Sequence, residues 1–179
     1  MNASSRVEPD LSKLDGHRAR IHELDSRFAS LHLSLCELAS SISAETRDGA
    51  SGRQLRPLDS IRENVLRSAA VIEHTFGGIT ANLWDDPFEW TLPETLNTPE
   101  RIVEYLEEVE ATRRRAFAGM ANDSELLQEV VVPSGERRTL VSLLNETISR
   151  ATSYHNRALE IRDLLAAQNS AGKRAGDSL

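Results

Sequence analysis

His155 is the imidazole best placed for chemistry in this sequence. It lies near the middle of Thr139 to Leu165, TLVSLLNETISRATSYHNRALEIRDLL, at the edge of an apolar stripe and one turn from the small Ala151. A ring in that position can be a satisfied packing group, line a pocket or ligate a metal. Its neighbour Tyr154 reads as a core or interface aromatic, as does Trp84. Arg67 is a permanent cation. Four residues after Glu63, it pairs with that carboxylate along a helix face; in the sharper reading its guanidinium receives an anionic ligand such as a carboxylate. Arg150 offers a second cation to the same pocket, although the outer face of its helix is the plainer place for it.

Other combinations fail on geometry. Glu73 and His74 are neighbours on a helix and point in different directions. Asp85-Asp86 and Glu107-Glu108 are likewise adjacent, so neither pair converges on one substrate atom. There is no G-x-S-x-G turn, no glycine-rich phosphate loop and no H-E-x-x-H. The single cysteine, Cys36, excludes an internal disulfide and a multi-cysteine zinc site. It stands one place off an apolar stripe and reads as a small buried apolar side chain. Arg113, Arg114 and Arg115 read as a solvated basic run pairing with Glu107 to Glu110.

These residues need helices to hold them. Leu14, His17, Ile21, Leu24, Phe28, Leu31, Leu35, Leu38 and Ile42 recur at steps of three and four, which predicts one long first helix. His22 and His32 fall off that stripe and should be solvated. Residues 45–57 collect Gly, Ser, Asp and Pro and read as a loop, after which Asp59 or Ser60 caps a second helix. Ile61, Val65, Ile72, Phe76, Ile79 and Leu83 mark its buried face, and Gly77-Gly78 mark a kink or a close contact. The segment 84–97 holds two prolines and both tryptophans, and it is long enough to return along a bundle as a crossover. Thr98-Pro99-Glu100 opens a third helix with a capping hydroxyl, a proline at the first helical position and an acid in the first turn. Ile102, Leu106, Val109, Phe117 and Met120 form its apolar side. Asn122-Asp123 breaks it, Val130 to Val132 is extended, and Ser134-Gly135 turns the chain into the fourth helix. There Leu140, Leu144, Thr147, Ala151, Tyr154, Ala158, Ile161 and Leu165 make the stripe.

The fold class is therefore all-α, a four-helix bundle forming a single domain over residues 1–168, with 169–179 a disordered tail. The chain has 179 residues with a net charge of −7, against the basic face of a nucleic-acid binder. No apolar run reaches the length of a membrane span. Without an apolar leader at its start, a cytoplasmic location is the expectation.

Three segments in this order resemble the DinB-like (YfiT-like) four-helix-bundle family. LDSIRENVLRSAAVIEH looks like its second helix, and DPFEW–LPE with TPERIVEYLEEVEATR like its crossover and third helix. VVVPSGERRTLVSLLNETISRATSYHNRALEIRDLL looks like its strand-like return and last helix. The resemblance covers residues 14 to 165. It implies an up-down-down-up bundle, often dimeric, holding nickel or zinc on three histidines. One ligand comes from the second helix and two from an H-x-x-x-H pair on the fourth. The activities it implies are metal-dependent thiol S-transfer and thiol-dependent isomerisation. Residue by residue, His155 matches the last ligand, but the position four before it is Ala151, and the second-helix position is Arg67.

A lone imidazole cannot hold the ion, and arginine has no lone pair to donate. Rescue through Glu73, Glu146 or His74 needs another geometry, since His74 lies roughly 10 Å along the axis from Arg67. The expectation is a protein without the family metal or other cofactor. It would bind a small anionic molecule near Arg67, Tyr154 and His155 or act as a non-catalytic module, possible homodimers included. The alternative is a metal-dependent thiol S-transferase or hydrolase in which His155 belongs to a rearranged nickel or zinc site. Neither reading involves nucleic acid or membrane.

Overall fold

The first helix, α1 (Ala19–Arg47), is built on the periodic stripe, and Ile21, Leu24, Phe28, Leu31, Leu35, Leu38 and Ile42 are all buried. The computed structural model describes residues 17–47, 52–84 and 96–176; Leu14 and the start of the chain lie outside them. α1 has no acidic residue in its own first turn. Asp123, distant in sequence, supplies the cap instead: its carboxylate accepts from the backbone N–H of Arg20 (3.1 Å) and of Ile21 (3.0 Å). Those donors have no partner within the helix. Desolvation pushes the Asp123 carboxyl upward, but the two backbone donors prevail and hold it below the ordinary range.

The second helix, α2 (Gly52–Ala81), starts earlier than its sequence suggests. The loop expected over 45–57 is helical at both ends, and residues 48–51 lie outside the described ones. Asp59 and Ser60 are interior positions, not caps. Asp59 instead accepts from Arg62 Nη2 at 2.6 Å. Pro57 sits within the helix, where it removes one intrahelical hydrogen bond; buried Leu58 beside it anchors this turn to the core. The other end stops on a left-handed αL cap. Asn82 takes φ 55°, its N–H donates to the Gly78 carbonyl (2.9 Å), and the Leu83 N–H donates to that of Gly77 (3.2 Å). Leu83, expected on the buried face, lies past this stop and is exposed. Trp84 folds back so tightly that a Cβ on Gly78 would sit 2.3 Å from its ring. The close contact at Gly77-Gly78 is thus with the helix's own trailing tryptophan.

The third helix, α3 (Pro99–Gly119), opens as read: the Thr98 hydroxyl accepts from the Arg101 N–H at 3.4 Å, Pro99 follows, and Glu100 is in the first turn. A short 3₁₀ turn (Asp123–Leu127) leads to an antiparallel hairpin, β1 (Glu129–Val131) and β2 (Arg137–Thr139), with Gly135 at φ +83° in its loop. The chain then runs directly into α4 (Leu140–Gly176). α4 continues past Leu165 through most of the stretch expected to be a disordered tail.

Contacts between helices fix their directions. Arg18 reaches the Phe117 carbonyl while His32 meets Glu107, so α1 and α3 are antiparallel. Ser68 meets Ala151 and Thr75 meets Thr147, so α2 and α4 are antiparallel. Arg27 with Asn145 and Ser34 with His155 set α1 parallel to α4. Arg62 with Asn97 and Glu73 with Tyr105 set α2 parallel to α3. The result is an up-down-down-up, all-α bundle. Because α2 and α3 run the same way, the connection between them must return about 30 Å along the bundle. Residues 85–95 of that crossover lie outside the described ones.

The core centres on three rings. Phe28 meets Phe76 edge-on at 5.2 Å, and Phe117 lies 5.5 Å from Phe76 and 6.0 Å from Phe28. Among the described residues, no helix is long and apolar enough to cross a membrane.

Candidate functional site

Besides the Glu73–Tyr105 bond between α2 and α3, three seams of the bundle carry polar side chains, and α4 borders two of them. Between α2 and α4 the helices touch through small residues. Ser68 Oγ donates to the Ala151 carbonyl at 2.9 Å, and the hydroxyls of Thr75 and Thr147 are 2.7 Å apart, both contacts buried. Arg67, one residue from Ser68, is turned outward. Its Nε and Nη2 donate to one Glu63 oxygen at 2.9 and 2.8 Å. That bond, with help from Tyr154, raises the Arg67 pKa. The i,i+4 pairing read from the sequence is present.

His155 faces a different helix. Between α1 and α4 its Nε2 lies 2.7 Å from Ser34 Oγ, and its Nδ1 lies 3.4 Å from Asn156 Oδ1. A neutral ring satisfies both: Nδ1–H donates to the amide oxygen, and Nε2 accepts from the serine hydroxyl. Burial keeps it neutral by lowering the His155 pKa, with Arg162 adding to the effect and Asn156 opposing it. The consequence for stability has a definite sign. The unfolded state takes up a proton near pH 6.5 while the folded ring resists it, so the native state weakens as pH falls below about 6.5. His155→Gln should flatten this part of the profile, read as Tm between pH 7 and pH 5. An unchanged slope would show that the ring titrates normally.

A hydrogen-bonded serine and histidine begin a nucleophilic arrangement. Both residues are mid-helix, however, so their backbone N–H groups are spent on the helix ladder and none is available for a developing oxyanion. The pair fixes His155 in place.

The three positions that would correspond to a three-histidine centre therefore do not converge. Arg67 is bound to Glu63, Ala151 offers no donor atom, and His155 Nε2 is taken up by Ser34 on α1. These residues do not fit such a centre.

Around α4 the surface is indented by three adjoining clefts. One of about 620 Å³ lies between Arg27 of α1 and the Ser149–Glu160 face of α4, with Thr152, Asn156 and Arg157 in its walls. It shares Arg27, Thr152 and Asn156 with a cleft of about 580 Å³ that reaches Ser34 and His155. It shares Arg157 and Glu160 with one of about 500 Å³ that contains Arg67 and Tyr154. Arg67 and Tyr154 are thus brought together, and His155 is held apart from them on the other side of α4.

Within the central cleft the cations differ from Arg67. Arg27 Nη1 donates to the Asn145 amide oxygen at 3.0 Å, and the Arg157 guanidinium lies over the Tyr154 ring at 5.8 Å. Among the described residues neither is in an ion pair. Sequence reasoning passed over Arg27, Ser34 and Arg157. The available signal was Ser26-Ser30-Ser34, a second stripe on α1 at helical spacing.

No family model matches the chain, and no curated protein or solved structure matches it either.

The third seam, between α1 and α3, overturns two expectations. Arg113, read as solvated, is 3% exposed, and so is Glu110. Arg113 Nε and Nη2 bind the two Glu110 oxygens at 2.7 Å each, Nη1 binds Asp25, and Arg114 Nε adds a 2.8 Å bond to Glu110. Burial opposes the Glu110 charge, yet the two arginines keep its carboxyl below the usual range. His32, also expected in solvent, is 9% exposed beside this network. It faces α3 because the arc that α1 buries is wider than its apolar stripe. Cys36, read as a buried apolar group, is half-buried, and its Sγ lies 3.6 Å from His32 Nε2. Burial first, then Glu107 and Glu110, push its thiol up to about 11.

Proposed function

We propose that this protein is a DinB-like bundle without the family's three-histidine metal, and that it binds a small anionic molecule in the cleft between Arg27 and Arg157. The family part of the reading is supported by the up-down-down-up order with its crossover. The anion part is carried by one observation: two guanidiniums line the same cleft, and among the described residues neither is within ion-pair distance of a carboxylate, the single acid in the cleft wall being Glu160. A guanidinium fork matches carboxylate and phosphate oxygens. Ser149, Thr152, Ser153 and Asn156 supply neutral hydrogen-bonding groups along the same walls. Arg67 is the poorer anchor, because a ligand there would have to displace Glu63. His155 and Tyr154 belong to the two adjoining clefts, one hydrogen-bonded to α1 and the other stacked under Arg157.

Thermal melting of the full chain with citrate, succinate or inorganic phosphate tests this. An anion at ten times its Kd should stabilise the fold by about 1.4 kcal/mol, a Tm rise of roughly 3 to 6 °C for a chain of this size. The rise should vanish in Arg27→Gln/Arg157→Gln and persist in Arg67→Gln. Equal shifts in both variants would count against the cleft. A metal-dependent thiol S-transferase or hydrolase built around His155 is the weaker reading, because the ring's two nitrogens face Ser34 and Asn156.

A further inference from the structure

We infer that His32 and Cys36 of α1, with Glu107 of α3, form a binding site for a zinc-class divalent cation, separate from the anion cleft. The three donor atoms lie within 4.8 Å of one another. A tetrahedral zinc with Zn–N near 2.0 Å and Zn–S near 2.3 Å needs a nitrogen–sulfur edge of about 3.5 Å, and with oxygen a nitrogen–oxygen edge of about 3.4 Å. The two edges seen are 3.6 Å from His32 Nε2 to Cys36 Sγ and 3.4 Å from the same nitrogen to Glu107 Oε1; Sγ is also 3.9 Å from Nδ1, so the thiol rests beside the ring and the imidazole must turn about its Cβ–Cγ bond to aim Nε2 at the ion. The i,i+4 spacing of His32 and Cys36 stacks both donors on one face of α1.

Chemistry and charge agree with the spacing. Imidazole with thiolate selects zinc or cobalt over the hard cations that prefer oxygen alone. On binding, the Cys36 thiol loses its proton to solvent as the metal–sulfur bond forms. Thiolate and carboxylate then carry two negative charges against the ion's two positive ones. His32 is buried, whereas the Glu107 side chain is 63% exposed, so the ion has a route in from solvent on that side. Three protein donors leave a fourth tetrahedral position for water or a ligand.

Cobalt(II) titration of the full chain, with back-displacement by zinc, provides the test. The expected result is one ion per chain, a near-ultraviolet sulfur-to-cobalt charge-transfer band and the intense visible absorption of a tetrahedral ion. Cys36→Ser should remove the band. Glu107→Gln, at an exposed position that leaves the fold intact, should weaken binding by more than the roughly 100-fold that loss of an outer-shell partner can cost. His155→Ala should leave cobalt binding unchanged. Absence of the band, or binding that survives both Cys36→Ser and Glu107→Gln, overturns the site; so does binding abolished by His155→Ala.

Discussion

Arg113→Ala is expected to cost about 3–5 kcal/mol of stability, because it strands Glu110 as a buried carboxylate without its main partner. The pair is closed on both sides: Arg113 and Glu110 side chains are each 3% exposed, and two parallel bonds of 2.7 Å join them. Asp25 and Arg114, which complete the network, reach solvent and can be rehydrated. In a chain of this size the loss corresponds to a Tm fall of roughly 6 to 20 °C. The double replacement Arg113→Met/Glu110→Leu should recover most of it, since an apolar pair of similar volume is often neutral or better than a buried ion pair. The alanine variant should also respond differently to acid. In the wild type the depressed Glu110 carboxyl adds stability that is fully present above about 4.5 and is lost as pH falls through its folded value. Chemical denaturation of the three proteins at neutral and acid pH checks both points. An Arg113→Ala protein as stable as wild type would mean that water reaches Glu110.

Phe76→Ala is expected to cost a similar amount, about 3–5 kcal/mol, through a cavity the helices cannot close. Phe76 is fully buried and in ring contact with both Phe28 and Phe117, so it ties α2 to α1 and α3 at once. Phe76→Leu refills most of the volume and should lose chiefly the edge contacts, about 0.5–1.5 kcal/mol each. Urea denaturation separates the two variants. An alanine cost near that of leucine would show a core loose enough to collapse around the gap.

How much of this was legible beforehand follows from the range of each signal. The stripes of α1, α3 and α4 are local repeats, and nearly every residue in them is buried. The Thr98-Pro99-Glu100 opening is equally local and correct in detail. The start of α2 was misread because Pro57 was taken as a boundary, whereas the helix includes it and Leu58 anchors it. Arg113 and His32 were misplaced for another reason: a charged or polar residue looks solvated until its partners on another helix are known. Glu110 is in the same helix as Arg113, but the wall that buries them belongs to α1. Ser34 with His155 is the same case across 121 residues of sequence. The pairing of Arg67 with Glu63, four residues apart, was readable and is present.

The most direct test of the central claim follows the arginine side chains themselves. Nε–Hε resonances of the full chain, recorded by NMR while citrate is titrated in, report each guanidinium separately. The account predicts that Arg27 and Arg157 shift together and saturably while Arg67, bound to Glu63, stays in place. Movement of Arg67 alone, or no saturable movement at Arg27 and Arg157 with citrate, succinate or phosphate, would contradict it.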